Sequence, residues 1–270
     1  ITSLPERLRE GVPREISAQN ITYDGLISWV DEKLELAGDV GARNLLAYNE
    51  RLENTNSRVV LADNQIQLAG FNGTWMGRRL AGSLSARPDG TALRGFADVS
   101  SGPLDPLVGR FGLKGVTGTV AGKLIVEGSL KRPVLSAALR GRADYLDRKQ
   151  RIALGNYYAA LNLNGDTLNI PRFTVEGSGA SLIQGSVNLR QKTLDLQVKA
   201  GGIDAQKFLP QVAGRLFVDG KVTGTFSKPL AQGRAEVYGA SYDGVNIPIA
   251  LGNFRASARQ IDLTDMSLIS

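Results

Sequence analysis

The chain has 270 residues, with 32 Lys+Arg against 26 Asp+Glu, and neither histidine nor cysteine. Those two absences remove the imidazole base, the Ser-His-Asp triad, histidine and thiolate metal sites, disulfides and iron–sulfur ligation. At 42% hydrophobic and 21% charged the composition is that of a folded chain, and 32 glycines stand well above the usual share of about 7%.

Residues 1–15 read as a short helix with its lead-in. Ser3, Pro5 and Glu6 fit a capping box with proline in the first turn, and Gly11 and Pro13 stop the helix. From residue 16 onward the period becomes two. Leu34 and Leu36 share a face, as do Ile66 and Leu68, Leu161 and Leu163, Leu168 and Ile170. The pattern returns in Leu194, Leu196 and Val198, and again in Ile261 and Leu263, with polar residues between. Turn signals stand at Asp63-Asn64, Asn72-Gly73, Asp89-Gly90, Asn164-Gly165-Asp166 and Asp243-Gly244. Together these predict an almost all-β chain of about 18–22 strands joined as hairpins. Two short helical turns interrupt it: one opened by Asp105-Pro106 and ending near Gly109, the other running from Asp204 through Phe208 and Leu209 to Pro210. No stretch reaches the ~18 apolar residues of a membrane-spanning helix. A start at Ile1 and a stop at Leu268-Ile269-Ser270, in mid-alternation, lead us to expect a piece of a longer chain.

The chain repeats itself. Gly128-Ser129-Leu130-Lys131-Arg132-Pro133 matches Gly224-Thr225-Phe226-Ser227-Lys228-Pro229. Ile152-Ala153-Leu154-Gly155-Asn156-Tyr157 matches Ile249-Ala250-Leu251-Gly252-Asn253-Phe254 with one aromatic exchange. The implied cassette is about 97 residues, with boundaries near 16–101, 102–200 and 201–270, the last truncated.

These Gly-[Ser/Thr]-apolar-x-[Lys/Arg]-Pro turns, the Ile152–Asn156 strand and the Leu194–Asp204 passage resemble the TamB-like family. Its members are inner-membrane-anchored subunits of the translocation and assembly module, within the AsmA-like superfamily of diderm bacteria. The resemblance implies an elongated, curved antiparallel sheet, the β-taco, with an apolar concave groove in the periplasm. It also implies a parent protein anchored in the inner membrane and a role in outer-membrane biogenesis. The implied partners are phospholipid or another acyl-chain lipid, or an outer-membrane barrel protein in an assembly role that works by β-augmentation. No enzyme activity and no cofactor are implied. The thirteen alternating residues named above, from Leu34 to Leu263, would line the lipid groove. A closed β-solenoid, as an adhesin or a carbohydrate-active protein, is the reading in which the same residues form a sealed core.

Charge supplies the second candidate site. Lys131, Arg132, Arg140, Arg142, Arg148, Lys149 and Arg151 stand against Asp144 and Asp147 within 21 residues. They are candidates to meet anionic headgroups or an acidic partner, and equally to form a solvated face that guards sheet edges. Aromatics are not interleaved among them for base stacking, so nucleic acid is not expected. Asp144/Asp147 and Asp262/Asp265 are three apart, which on a strand places each pair on opposite faces and argues against a glycosidase dyad. Gly112, Gly115, Gly118 and Gly122-Lys123 do not make a phosphate loop, because Thr117 and Leu124 occupy the positions that need glycine and a hydroxyl. Trp29 and Trp75 read as packing or rim residues.

Overall fold

The structure, a computed structural model, describes residues 16–30, 33–47, 50–109, 114–147, 150–177, 179–207, 212–242, 245–257 and 259–269. The helix expected over 1–13, the Asp243-Gly244 turn and the segment Phe208 to Pro210 lie outside these residues, as do Arg148 and Lys149. Within them the chain is all-β. Strands β1 (Ile16–Val30), β2 (Lys33–Ala47), β3 (Glu50–Ala62), β4 (Gln65–Trp75), β5 (Arg78–Ala86) and β6 (Leu93–Pro103) come first. Helix α1 (Asp105–Gly109) precedes β7 (Val116–Ser129), β8 (Arg132–Asp147), β9 (Gln150–Asn164), β10 (Thr167–Glu176), β11 (Ala180–Asn188) and β12 (Thr193–Asp204). A 3-10 turn (Ala205–Lys207) then leads to β13 (Val212–Thr225), β14 (Lys228–Tyr242), β15 (Val245–Ser257) and β16 (Ile261–Ile269). The strands are hydrogen-bonded in chain order as one antiparallel sheet that does not close into a barrel.

Among the described residues there are sixteen strands, against the 18–22 expected of the chain. One reason is Asn72-Gly73, which is not a turn: β4 runs straight through it. Asn72 Nδ2 donates to the Gly70 carbonyl at 2.7 Å, and Gly70 takes a φ of 63°, so this sequence makes a bulge inside a strand. The turn signals at Asp63-Asn64, Asp89-Gly90 and Asn164-Gly165-Asp166 hold. Asp63 and Asn64 adopt φ of 50° and 57°, the left-handed pair that a type I′ hairpin requires. Asp105 and Pro106 open α1 as expected, and Asp204 caps the 3-10 turn by accepting from the Gln206 amide at 3.2 Å.

The repeat has a geometric counterpart. Strand lengths run 15, 15, 13, 11, 9 and 11 in β1–β6, then 14, 16, 15, 10, 9 and 12 in β7–β12, and 14, 15, 13 and 9 in β13–β16. The duplicated hairpins share their turn geometry. The Arg132 and Lys228 amides each donate to the preceding hydroxyl, of Ser129 and Thr225, at 3.1 Å. Gly128 and Gly224 take matching φ of 102° and 96°.

Glycine does more than mark bulges. Gly220 pairs directly with Gly233, and a Cβ on Gly233 would stand 2.5 Å from the Gly220 Cα and clash with the Asp219 carbonyl. Gly25 and Gly38 face each other in the same way, with 2.5–2.7 Å between either added Cβ and the opposite Cα. Neighbouring backbone occupies the place of the side chain, which is what a sheet folding about that row produces.

By packing, the chain divides into one unit of Ile1–Gly102 with Ala121–Ala138 and another of Pro103–Val120 with Leu139–Ser270. The second unit has a small closed core where Leu104, Val120, Ala143 and Tyr157 meet, with Leu107 and Val108 of α1 and Phe173 packed against them. Tyr157 and Phe173 stack at 5.9 Å, and the Tyr157 hydroxyl donates to the Thr119 carbonyl at 3.0 Å.

Candidate functional site

Register decides which alternating residues become neighbours. In the first unit Leu36 pairs with Leu61, Leu61 with Ile66, and Ile66 with Ala86. The adjacent row runs Gly38, Val59, Leu68, Leu84 and Gly95. Leu34 joins the same face opposite Trp29. In the second unit Leu163, Leu168, Val187 and Leu194 form one row. Ile170, Gly185, Leu196 and Val222 form the next, and Ile183 and Val198 continue toward Gly220. Leu161 lies on this face by alternation with Leu163. Ile261 and Leu263 pair with Ala256 and Phe254. All thirteen candidate residues therefore fall on one apolar face within their own unit.

That face contains hydroxyls, but they are turned to the backbone. Thr55 and Ser57 are buried on it, and their oxygens donate to the Ala42 and Ala69 carbonyls at 3.0 Å each. Arg78, also buried, lies with its guanidinium 5.9 Å from the Trp75 ring, whose Nε1 donates to Glu50 at 2.8 Å. Sequence alternation alone did not mark Thr55, Ser57 or Arg78 as members of this face. Val59 and Leu61, buried and paired with Leu68 and Ile66, belong to the face as well and were not among the thirteen.

The face is not sealed. Eleven of the thirteen candidates are half-buried, and Ile261 and Leu263 are more than half exposed.

The opposite face is polar and built of charge ladders. Lys199 meets Asp219 at 3.4 Å, Lys221 meets Asp195 at 2.9 Å, and Arg234 meets Glu236 at 3.1 Å. Glu236 also accepts the Tyr238 hydroxyl at 2.9 Å, which pushes that phenol above its ordinary value. Each exposed pair contributes little stability, but alternating sign keeps the wet face soluble.

The described members of the basic run fall in both units, Lys131 and Arg132 in the first and Arg140, Arg142 and Arg151 in the second. Lys131 and Arg132 sit exposed at the β7–β8 hairpin, and Arg140 is exposed on β8. Arg142 and Arg151 turn to the buried carboxylate of Asp144, Arg142 Nε at 3.8 Å and Arg151 Nε donating at 3.1 Å. Two of the charges offered to a headgroup or partner are thus engaged within the chain. Asp265 accepts from Asn253 at 2.8 Å and Asp262 from Gln260, so that pair of carboxylates serves local hydrogen bonds. Among the described residues no group of His, Cys, Asp or Glu is placed to hold a metal ion, and no helix is long and apolar enough to cross a membrane.

No family model, curated protein or solved structure matches the chain.

Proposed function

We propose that the apolar face holds the acyl chains of phospholipids and that this chain is a lipid-holding segment of an envelope scaffold. The observation that supports this reading is that the thirteen alternating apolar residues fall on one face within each unit, eleven of them half-buried and two exposed. Transfer of a methylene from water to such a surface is worth about 0.8 kcal/mol when complete, so a long chain lying in the rows gains several kcal/mol even when covered on one side. Rows of similar width repeat from strand to strand, so a chain can move along them with little change in burial. Resemblance to TamB-like proteins is what suggests a periplasmic setting and an inner-membrane anchor elsewhere in the parent protein.

The test is lipid extraction and mass spectrometry on protein purified from a bacterial host in a non-lipid detergent. Stoichiometric phospholipid is expected, and Leu163→Asp with Leu196→Asp should abolish it while far-ultraviolet circular dichroism retains the strand signal. A lipid load that survives both substitutions, or protein that purifies free of lipid, overturns the proposal. Co-purified outer-membrane-protein peptide in place of lipid would favour the assembly role.

A further inference from the structure

One end of the second unit's strands gathers four exposed cations on its hairpin turns. Register brings the hairpin ends together: Asn164 pairs with Thr167, Thr167 with Asn188, Asn188 with Thr193, Thr193 with Thr225, and Thr225 with Lys228. Backbone bonds tie the turns to one another, with the Leu189 amide donating to Asp166 at 2.8 Å and the Phe226 amide to Lys192 at 2.9 Å. Leu230 pairs with Ser257, which brings the last hairpin to the same end.

Four cations stand on these turns: Arg190, Lys192, Lys228 and Arg259, all exposed. Among the described residues of the turns they face one carboxylate, Asp166, which Arg190 engages at 2.7 Å. The charges one row inward are already matched, Lys221 with Asp195. The row of the apolar face nearest the basic turns is Leu163, Leu168, Val187 and Leu194. Leu194 lies two residues from Lys192, about 7 Å along the strand.

We infer that this hairpin rim receives the anionic phosphodiester headgroups of lipids whose acyl chains lie on the adjoining leucine row. The inference rests on the acyl-chain reading above and adds a headgroup class to it. A phosphodiester at the rim meets lysine and arginine donors while its chains leave water two residues away, so charge and apolar burial act on one molecule. An ethanolamine or choline headgroup brings its own cation and loses most of that attraction.

The experiment uses short-chain, water-soluble phosphatidylglycerol and phosphatidylcholine of equal chain length, titrated calorimetrically below their micelle concentrations. Inorganic phosphate serves as the control. The native chain should prefer phosphatidylglycerol by about tenfold or more, and added salt should shrink the preference. In the fourfold variant Arg190→Gln, Lys192→Gln, Lys228→Gln and Arg259→Gln the ratio should fall to about one, with phosphatidylcholine binding unchanged. A ratio unmoved by the variant, or absent in the native chain, overturns the rim. Inorganic phosphate competing as well as the lipid also overturns it, because the site would then be for a free anion. Phosphatidylcholine binding reads the apolar face separately. Its loss alone, with a rim-dependent phosphatidylglycerol signal retained, would sink the acyl-chain reading and leave the rim.

Discussion

Replacing Gly233 by alanine tests whether the sheet folds about its glycine rows. Gly233 has an ordinary φ, so alanine meets no conformational penalty there; the cost is steric. The new Cβ would stand 2.5 Å from the Gly220 Cα, where ordinary contact begins at 3.4 Å, and it would also strike the Asp219 carbonyl. Both obstacles are backbone, so relief requires β13 and β14 to part by roughly 0.9 Å at that row. Overpacking of this kind costs about 3 kcal/mol. Two other glycines separate the competing explanations. Gly109 in α1 has open space around it, so Gly109→Ala should be neutral or stabilise by about 0.5–1 kcal/mol. Gly165 also has open space but a φ of 56°, so Gly165→Ala should cost about 1 kcal/mol through backbone strain alone. A repeating sheet need not unfold in one step, so the assay is amide hydrogen exchange resolved by strand, with urea titration as a check. Gly233→Ala should lower protection across β13 and β14 by roughly 100-fold and leave β9–β10 unchanged. If it costs no more than Gly165→Ala, the glycine rows are not where the sheet folds.

Further outcomes follow from the charged groups. Removing Arg151 strands a buried carboxylate with one remaining partner, so Arg151→Leu should destabilise the second unit by about 3 kcal/mol. Asp144→Asn removes the buried charge itself and leaves two exposed arginines; it should cost less than Arg151→Leu, and the reverse order in urea titrations would refute the assignment. The Asp89 carboxyl accepts the Thr91 hydroxyl at 2.7 Å and its amide at 2.9 Å, and these bonds hold it below its usual 3.8. A depressed carboxyl adds stability above its unfolded value and loses it as pH falls through the lower folded value, so the turn should hold at pH 4 and loosen only in stronger acid. Following the Thr91 amide by NMR checks this, and Thr91→Val should move the midpoint upward. The Tyr238 phenol should stay protonated past its ordinary value of 10.0 in an ultraviolet titration, and Glu236→Ala, which removes both the acceptor and its charge, should return it.

Much of this protein is legible one strand at a time. A strand alternates with a period of two whatever surrounds it, so the sets Leu34/Leu36 and Leu194/Leu196/Val198 could be assigned to single faces from spacing alone. Turn and cap chemistry is equally local, which is why Asp63-Asn64, Asp105-Pro106 and Asp204 act where the sequence places them. The duplicated Gly-Ser/Thr hairpins likewise announced two turns of one geometry. Local signals misled at Asn72-Gly73, where the dipeptide favoured in hairpins sits in a bulge because β4 stays paired on both sides of it.

What the sequence could not supply is anything that depends on which strands lie side by side. Register, shifted by bulges such as those between Leu68 and Phe71 or Ala200 and Ile203, sets the rows across the apolar face. Strand order gathers Arg190, Lys192, Lys228 and Arg259 from turns dozens of residues apart, whereas the denser run of charge from Lys131 to Arg151 is split between hairpin, wet face and a buried carboxylate. The glycine rows belong to the same class, since a missing Cβ has meaning only when the backbone that would collide with it is known. Periodicity is a property of one strand and survives in sequence; proximity between strands is a property of pairing, and only the tertiary structure decides it.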